Sequence, residues 1–156
     1  MKSDEFYMRE ALREAKKAFE RDEVPVGAII IYKGSIIARA HNQIRMLKDP
    51  TAHAEMIAIT QAAGHLKNER LIDCLMYVTI EPCSMCAGAL VLARINKLVY
   101  ATDDPKTGAC GSVINLVNHK KLNHRIEVSK GILEDESISL LKEFFRKKRG
   151  RGRIVA

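Results

Sequence analysis

Four residues in two short segments carry the chemistry open to this sequence. His53 and Glu55 stand two apart in His53-Ala54-Glu55, and Cys83 and Cys86 stand three apart in Pro82-Cys83-Ser84-Met85-Cys86. One imidazole and two thiolates can hold a zinc ion at three of its four tetrahedral positions, leaving the fourth open. Zinc lowers the pKa of water at an open position to about 7, which makes hydroxide available at neutral pH. Glu55 lies close enough to His53 to handle protons at that water without being a ligand. A Cys-x-x-Cys pair at a helix N-terminus aims both sulfurs at one point, where the positive end of the helix favours thiolates. Pro82 suits a position just before a first helical turn. His53 opens a second predicted helix, so two helix N-termini would face one ion.

Other uses of these residues are possible. A Cys-x-x-Cys pair after a strand could be a thioredoxin-like redox pair. It could also be half of a closed structural zinc site, which would need a fourth strong ligand from Cys74, Cys110, His41, His65, His119 or His124. None of these forms a second close pair with metal-ligand spacing. The ordered set His53, Glu55, Pro82, Cys83 and Cys86 therefore favours an open, catalytic zinc.

The elements that must position this set follow from periodicity. Met8, Ala11, Leu12, Ala15, Ala18 and Phe19 recur at helical steps, which predicts a covering helix from Asp4 to about Arg21 capped by Ser3 or Asp4. Val24–Tyr32 reads as a buried strand, Lys33-Gly34 as a tight turn, and Ser35–His41 as the returning strand. Asn42 follows at its end, where its side chain can face the site or bond its own backbone. Gln43–Pro50 is polar and reads as a loop. The His53 helix is expected to run to about Ala63, stopped by Gly64. A third strand, Leu75–Ile80, delivers Pro82 and Cys83, and the helix from Ser84 to about Ala93 follows. Asn96–Ala101 is a fourth strand, joined to the third by a right-handed parallel crossover. The loop Thr102–Ser112 leaves that strand at its C-terminal end, on the rim where open α/β sheets bind ligands. A short helix is expected over Val113–Val117 and a fifth strand over Arg125–Val128. A last helix is expected over Ser139–Lys148, with Leu140, Leu141, Phe144 and Phe145 as its apolar side.

The 156 residues fit one domain, 1–156, with a sizeable core, and 47% hydrophobic with 29% charged residues is ordinary for a globular chain. No apolar run approaches the ~18 residues that cross a bilayer. Met1–Glu5 leads straight into the first amphipathic pattern without a signal-peptide core, and four cysteines make no disulfide framework, so a cytoplasmic location is expected. Net charge is +7, and the six basic residues of segment 146–153 account for nearly all of it. The body is almost neutral, and residues 146–156 form a basic arm of the kind that meets nucleic acid, or else a solvated terminus.

His-x-Glu followed by Pro-Cys-x-x-Cys is the signature of zinc-dependent nucleobase deaminases. Further stretches narrow the match: Glu23-Val24-Pro25-Val26-Gly27-Ala28, Asp49–Glu55, Tyr77–Ala89, Asp104-Pro105-Lys106-Thr107-Gly108-Ala109-Cys110-Gly111-Ser112, and Asn123-His124-Arg125. With them the chain resembles the bacterial tRNA-specific adenosine deaminases along nearly its whole length. Ile80, where leucine is usual, and a second acid at Asp103 are small departures.

That resemblance implies a three-layer α/β fold of the cytidine-deaminase type, a mixed five-stranded sheet with helices on both faces. It implies a zinc ion on His53, Cys83 and Cys86, Glu55 as proton shuttle, and a homodimer. The substrate would be the adenosine at the first anticodon position of a tRNA anticodon stem-loop, converted to inosine. Asn42 would hydrogen-bond the flipped base, Val26 and Ala54 would line its pocket, and Asp104 would touch the substrate backbone. Phe144, Phe145 and the basic residues after them, Arg146, Lys148 and Arg149 among these, would meet the anticodon loop and stem. The rivals are a deaminase of a free base or nucleotide, a non-catalytic zinc module that binds RNA, and a thiol redox protein. The basic arm and Asn123-His124-Arg125 speak against a small substrate, which needs neither.

Overall fold

Alternation along the strands divides the core into two layers. On β1 (Gly27–Tyr32), Ala28 and Ile30 face one way and Ile29 and Ile31 the other, all without solvent exposure. On β3 (Cys74–Val78), Met76 and Val78 join the first set and Tyr77 the second. Helix α3 (Ala54–Leu66) and helix α4 (Ser84–Ala93) cover the first face through Ala58, Ala62, Ala87 and Leu90. Helix α1 (Asp4–Glu20) covers the second with Tyr7, Met8 and Ala11. β1 runs so close to α1 that a Cβ on Gly27 would collide with the Ala11 carbonyl oxygen. The sheet is completed by β2 (Ser35–His41), β4 (Lys97–Tyr100) and β5 (Glu127–Lys130), in the order β2-β1-β3-β4-β5. β1 is antiparallel to both β2 and β3, while β3, β4 and β5 are parallel. This is the expected mixed sheet in three layers, seen in a computed structural model that describes the backbone of residues 1–155 and the side chains of residues 1–150. No helix among the described residues is long and apolar enough to cross a membrane.

Several expected boundaries move, each for a physical reason. Ser3 does cap α1, its side chain accepting the Phe6 N–H at 3.1 Å. The first strand begins at Gly27, three residues late, because the chain at Val24–Val26 turns on itself through a Val26 N–H to Val24 carbonyl bond. The expected loop 43–50 contains a one-turn helix, α2 (Ile44–Leu47). Its N-terminal donors are met from elsewhere in the chain: the buried Glu23 carboxylate accepts the Arg45 and Met46 N–H groups at 3.1 and 2.9 Å. Gly64 does not stop α3, which carries Leu66 onto the core before ending at Lys67 in the left-handed region. The expected helix over 113–117 is absent. There the N–H groups of Val113 and Leu116 bond back to the carbonyls of Gly108 and Ala109, and Cys110 bridges Asn115 as in a strand pair.

Helix α5 (Glu134–Val155) starts five residues before the expected Ser139. Its polar first turn hid it, but Glu134, Asp135 and Glu136 suit the positive end of a helix. Ser137, buried, donates to the Thr79 carbonyl at 2.5 Å and ties this helix to the end of β3. The basic segment is thus the continuation of α5, although the side chains of Arg151 and Arg153 lie outside the described residues.

Candidate active site

His53 and Cys83 are the N-caps of α3 and α4, both with extended backbone, and neither side chain caps its own helix. The donors therefore turn outward, toward the space between the two helix ends. His53 Nδ1 lies 3.6 Å from Cys83 Sγ and 3.6 Å from Cys86 Sγ. The three donor atoms lie within 4.8 Å of one another, a group able to hold a metal ion. Cys86 is fully buried and Cys83 half-buried. The pair shares its protons unequally. The hydrogen bond with Cys86 pulls Cys83 down to about 4, with His53 helping, whereas the same bond and burial push Cys86 up. The His53 ring is shifted toward its protonated form, first by Cys83 and then by the Glu55 charge and the Pro50 backbone, against the effect of burial.

Glu55 stands one residue inside α3 and is buried, and burial is the main reason its carboxyl is pushed up to about 7. A carboxyl balanced near neutrality can both take and give a proton, which is what a shuttle requires. It faces a cavity of about 460 Å³ that also reaches His53 and Cys83. That volume lies within the usual range for small-molecule sites, ~300–1,000 Å³. Val26, Ile44, Ile80 and Leu141 make its walls apolar.

The structure sorts the other expected residues. Val26 and Asn42 line the cavity. The Asn42 side-chain oxygen accepts the Ala54 N–H at 2.8 Å, so its Nδ2 is the donor left to face a ligand. The Asn42 carbonyl in turn lies 3.0 Å from His41 Nδ1, and the Arg21 guanidinium lies 3.1 Å from His41 Nε2. Ala54 is fully buried at the start of α3. Its methyl is part of the core, and its N–H serves the site. Asp104 lines the cavity, yet its carboxylate is occupied within its own loop, accepting the Lys106 and Thr107 N–H groups and the Thr107 hydroxyl.

Helix α5 presents only some of its expected residues. Phe145, 42% exposed, lines the cavity, whereas Phe144 is buried edge-on against Phe19. The two are adjacent on a helix, so they face different directions. Lys148 lies over the Phe144 ring and 3.9 Å from Asp22. Arg146 is exposed. Arg149, Lys142 and Lys106 border a second groove that shares Ile80, Asp104 and Phe145 with the first. Of Asn123-His124-Arg125, the outer two residues are exposed and His124 is half-buried. His124 Nε2 bonds the Ile95 carbonyl at 2.7 Å, before β4, whereas the cavity loop leaves β4 at its other end.

Sequence reading missed Glu81, which looked like the mere end of a strand. It is 2% exposed, and its carboxylate accepts the backbone N–H groups of Asp104, Cys110 and Ser112 at 3.0, 2.9 and 3.1 Å, and the Ser112 hydroxyl. An acid directly before a metal-ligand turn, followed some twenty residues later by a Gly-rich loop, was the available signal.

An imidazole, two sulfurs and a neutral-range carboxyl at paired helix ends, on a β2-β1-β3-β4-β5 sheet, define a nucleobase-type deaminase. The chain belongs to that class: residues 2–149 match the family of MafB19-like deaminases. It is 48% identical over 149 residues to the tRNA-specific adenosine deaminase of Bacillus subtilis (strain 168), covering 96% of this chain and 92% of that protein. It is 52% identical over 145 residues to the tRNA-specific adenosine deaminase of Aquifex aeolicus (strain VF5), covering 93% and 95%. A solved structure from work on A-to-I editing by tRNA:A34 deaminases at the wobble position superposes with a TM-score of 0.84 at 45% identity, covering 87% of this chain and 99% of that one. A guanine deaminase from Nitrosomonas europaea superposes with a TM-score of 0.81 at 25% identity, covering 92% and 85%.

Proposed function

We propose that this protein converts adenosine to inosine at the first, wobble, anticodon position of tRNA, releasing ammonia. One observation carries the reading: His53, Cys83 and Glu55 line one apolar cavity, with Cys86 grouped beside the first two, in a chain 48–52% identical to tRNA-specific adenosine deaminases over nearly its full length.

Zinc is the ion these donors fit. With Zn–N near 2.05 Å and Zn–S near 2.3 Å, a tetrahedral angle separates nitrogen from sulfur by about 3.6 Å, and both Nδ1–Sγ distances are 3.6 Å. His53, Cys83 and Cys86 would hold it, and the two helix N-termini favour the anionic sulfurs. Zinc so held supplies a Lewis acid with one open position, which acidifies water there. Glu55 takes a proton from the attacking water and returns protons to adenine N1 and the departing amine, so adenosine and water become inosine and ammonia. Val26 and the other apolar walls exclude bulk water from the base, and Asn42 Nδ2 donates to a ring acceptor.

The target must be out of the base stack, since C6 is unreachable within one. An anticodon loop presents such a base with phosphates on both sides. Lys106, Lys142 and Arg149, along the groove continuous with the cavity, are placed for those phosphates, with Phe145 for stacking. A free base would leave this groove unused. We take the active form to be a cytoplasmic homodimer, in keeping with exposed apolar side chains such as Leu92, at 78% exposure, and Met46 and Leu47 on α2.

The deciding experiment is inosine formation on an anticodon stem-loop with adenosine at the first anticodon position, with zinc counted per chain. Inosine with one zinc per chain is the expected result. Ammonia from guanine or adenine alone, with no inosine in the stem-loop, would replace this reading with a free-base deaminase.

A further inference from the structure

Of the buried polar groups outside the metal set, Glu81 gathers the most. Its Oε1 accepts the Asp104 N–H and the Ser112 hydroxyl, and its Oε2 accepts the Cys110 and Ser112 N–H groups. All four donors belong to the loop 104–112, whose first residues wall the cavity. The same loop is stitched to the metal-ligand turn. Ala109 N–H bonds the Pro82 carbonyl at 2.9 Å, and Gly108 pairs with Cys83 as an antiparallel bridge. The fit is close: a Cβ on Gly108 would collide with the Glu81 carboxylate. Glu81 and Cys83 are two residues apart, so one short stretch of backbone sets both the sulfur and the grip on the opposite wall.

We propose that Glu81 is a positioning residue for substrate: its carboxylate fixes the 104–107 wall against the metal-ligand turn and so sets how the base is seated, without touching the metal or the reacting atoms. The chemistry of the four donors makes the proposal sharp. Three are backbone N–H groups that can only donate, so they need acceptors that carry no hydrogen. A glutamine cannot satisfy all three. Its best orientation keeps oxygen toward Cys110 and Ser112 and turns its NH₂ toward Asp104 N–H and the Ser112 hydroxyl, which can switch to accepting. The unmatched donor is then Asp104, at the cavity wall. The substitution therefore loosens the substrate side of the loop more than the side bonded to Pro82 and Cys83.

This proposal rests on the RNA deaminase reading for its kinetic arm and is independent of it in its structural arm. The structural arm compares amide hydrogen exchange in zinc-loaded wild type and Glu81→Gln. Exchange over 104–107 should accelerate at least tenfold, with the α4 peptide 84–93 unchanged. Equal exchange in the two proteins overturns the proposal, whatever the substrate proves to be. The kinetic arm measures inosine release from the stem-loop. Glu81→Gln should keep one zinc per chain and raise KM about tenfold or more, with kcat changing less, and Glu81→Asp, which retains both oxygens, should recover part of the loss. Val99→Ala, a core change on the opposite face of the sheet, provides a variant destabilised without touching the loop, and it should leave KM alone. Zinc lost in parallel with activity, or a KM unchanged in Glu81→Gln, overturns the proposal. A wild type that makes no inosine defeats the RNA reading and leaves the exchange experiment to decide Glu81.

Discussion

The Asn42 side-chain oxygen accepts the Ala54 backbone N–H at 2.8 Å, which joins the end of β2 to the first residue of the helix that carries Glu55. The bond is buried, so its loss leaves a buried N–H without a partner, at a cost of about 1–3 kcal/mol. Asn42→Ala should therefore lower the unfolding free energy of the zinc-loaded protein by about 1–3 kcal/mol, read from a shifted denaturation midpoint. It should also slow turnover by more than the stability change explains, because it removes the Nδ2 donor as well. An unchanged midpoint would mean the Ala54 N–H finds another acceptor.

Glu55 is assigned to moving protons and not to holding metal. Glu55→Ala should keep stoichiometric zinc and lose at least ~10² in turnover, the usual worth of a general acid–base group. The pair of measurements matters more than either alone. Normal turnover would remove Glu55 from the mechanism, and loss of zinc would make it a ligand or a ligand's support.

His53, Cys83 and Cys86 should behave as a unit. Alanine at any one should abolish stoichiometric metal, and chelation of the wild type should lower its Tm, because an ion bound only by the folded state stabilises it. Cys74 and Cys110 are buried thiols outside the group, so Cys74→Ala and Cys110→Ala should keep their metal. Zinc retained at full occupancy in Cys83→Ala would point to a different ligand set.

How much of this was legible in the sequence follows from what each feature depends on. Of the proposed ligands, Cys83 and Cys86 are read from local spacing, because one turn at a helix start places them together whatever the rest of the chain does, whereas His53, 30 residues upstream, enters only through the His-x-Glu pattern. The helix α4 was placed residue for residue for the same reason. The helix α2 was not visible, because its cap is Glu23, some twenty residues upstream. Glu81 looked like a strand end, because its partners lie 23 to 31 residues further along the chain. Phe144 and Phe145 form one apolar pair in sequence, but only the packing of α5 on Phe19 decides which is buried. Elements set by neighbouring residues could be read directly, whereas backbone donors satisfied at a distance could not.

The unequal thiols give a pH test on the metal-free protein. An ordinary cysteine has a pKa near 8.5, and its labelling by a thiolate-seeking reagent falls about tenfold per pH unit below that. Cys83, half-buried and lowered to about 4 by its hydrogen bond with Cys86, has the opposite sign of shift. It stays a thiolate down to that value, whereas burial raises Cys74 and Cys110. One residue, Cys83, should therefore label at a nearly constant rate between pH 5.5 and 7.5, identified by peptide mass, and added zinc should protect it. A rate climbing tenfold per unit across that range would show an ordinary thiol.

The cations of α5 should divide by where they point. Lys147 lies 4.9 Å from the Phe19 ring centroid and pairs with Glu143, and Lys148 lies 5.4 Å from the Phe144 centroid. Their charges are partly engaged within the fold. Arg149 borders the groove beside the cavity, with Arg146 exposed on the same helix. Each phosphate neutralised on a single strand contributes about 0.7 to the slope of log affinity against log salt. Arg146→Gln with Arg149→Gln should therefore flatten the slope for stem-loop binding by about 1.4 if each arginine meets one phosphate. Lys147→Gln with Lys148→Gln removes the same net charge and should leave the slope nearly unchanged, while lowering Tm through the lost ring contacts. The contrast separates contact from overall charge: equal flattening in both pairs would mean that α5 attracts RNA only through its net field, and the assignment of Arg149 to a phosphate would fall.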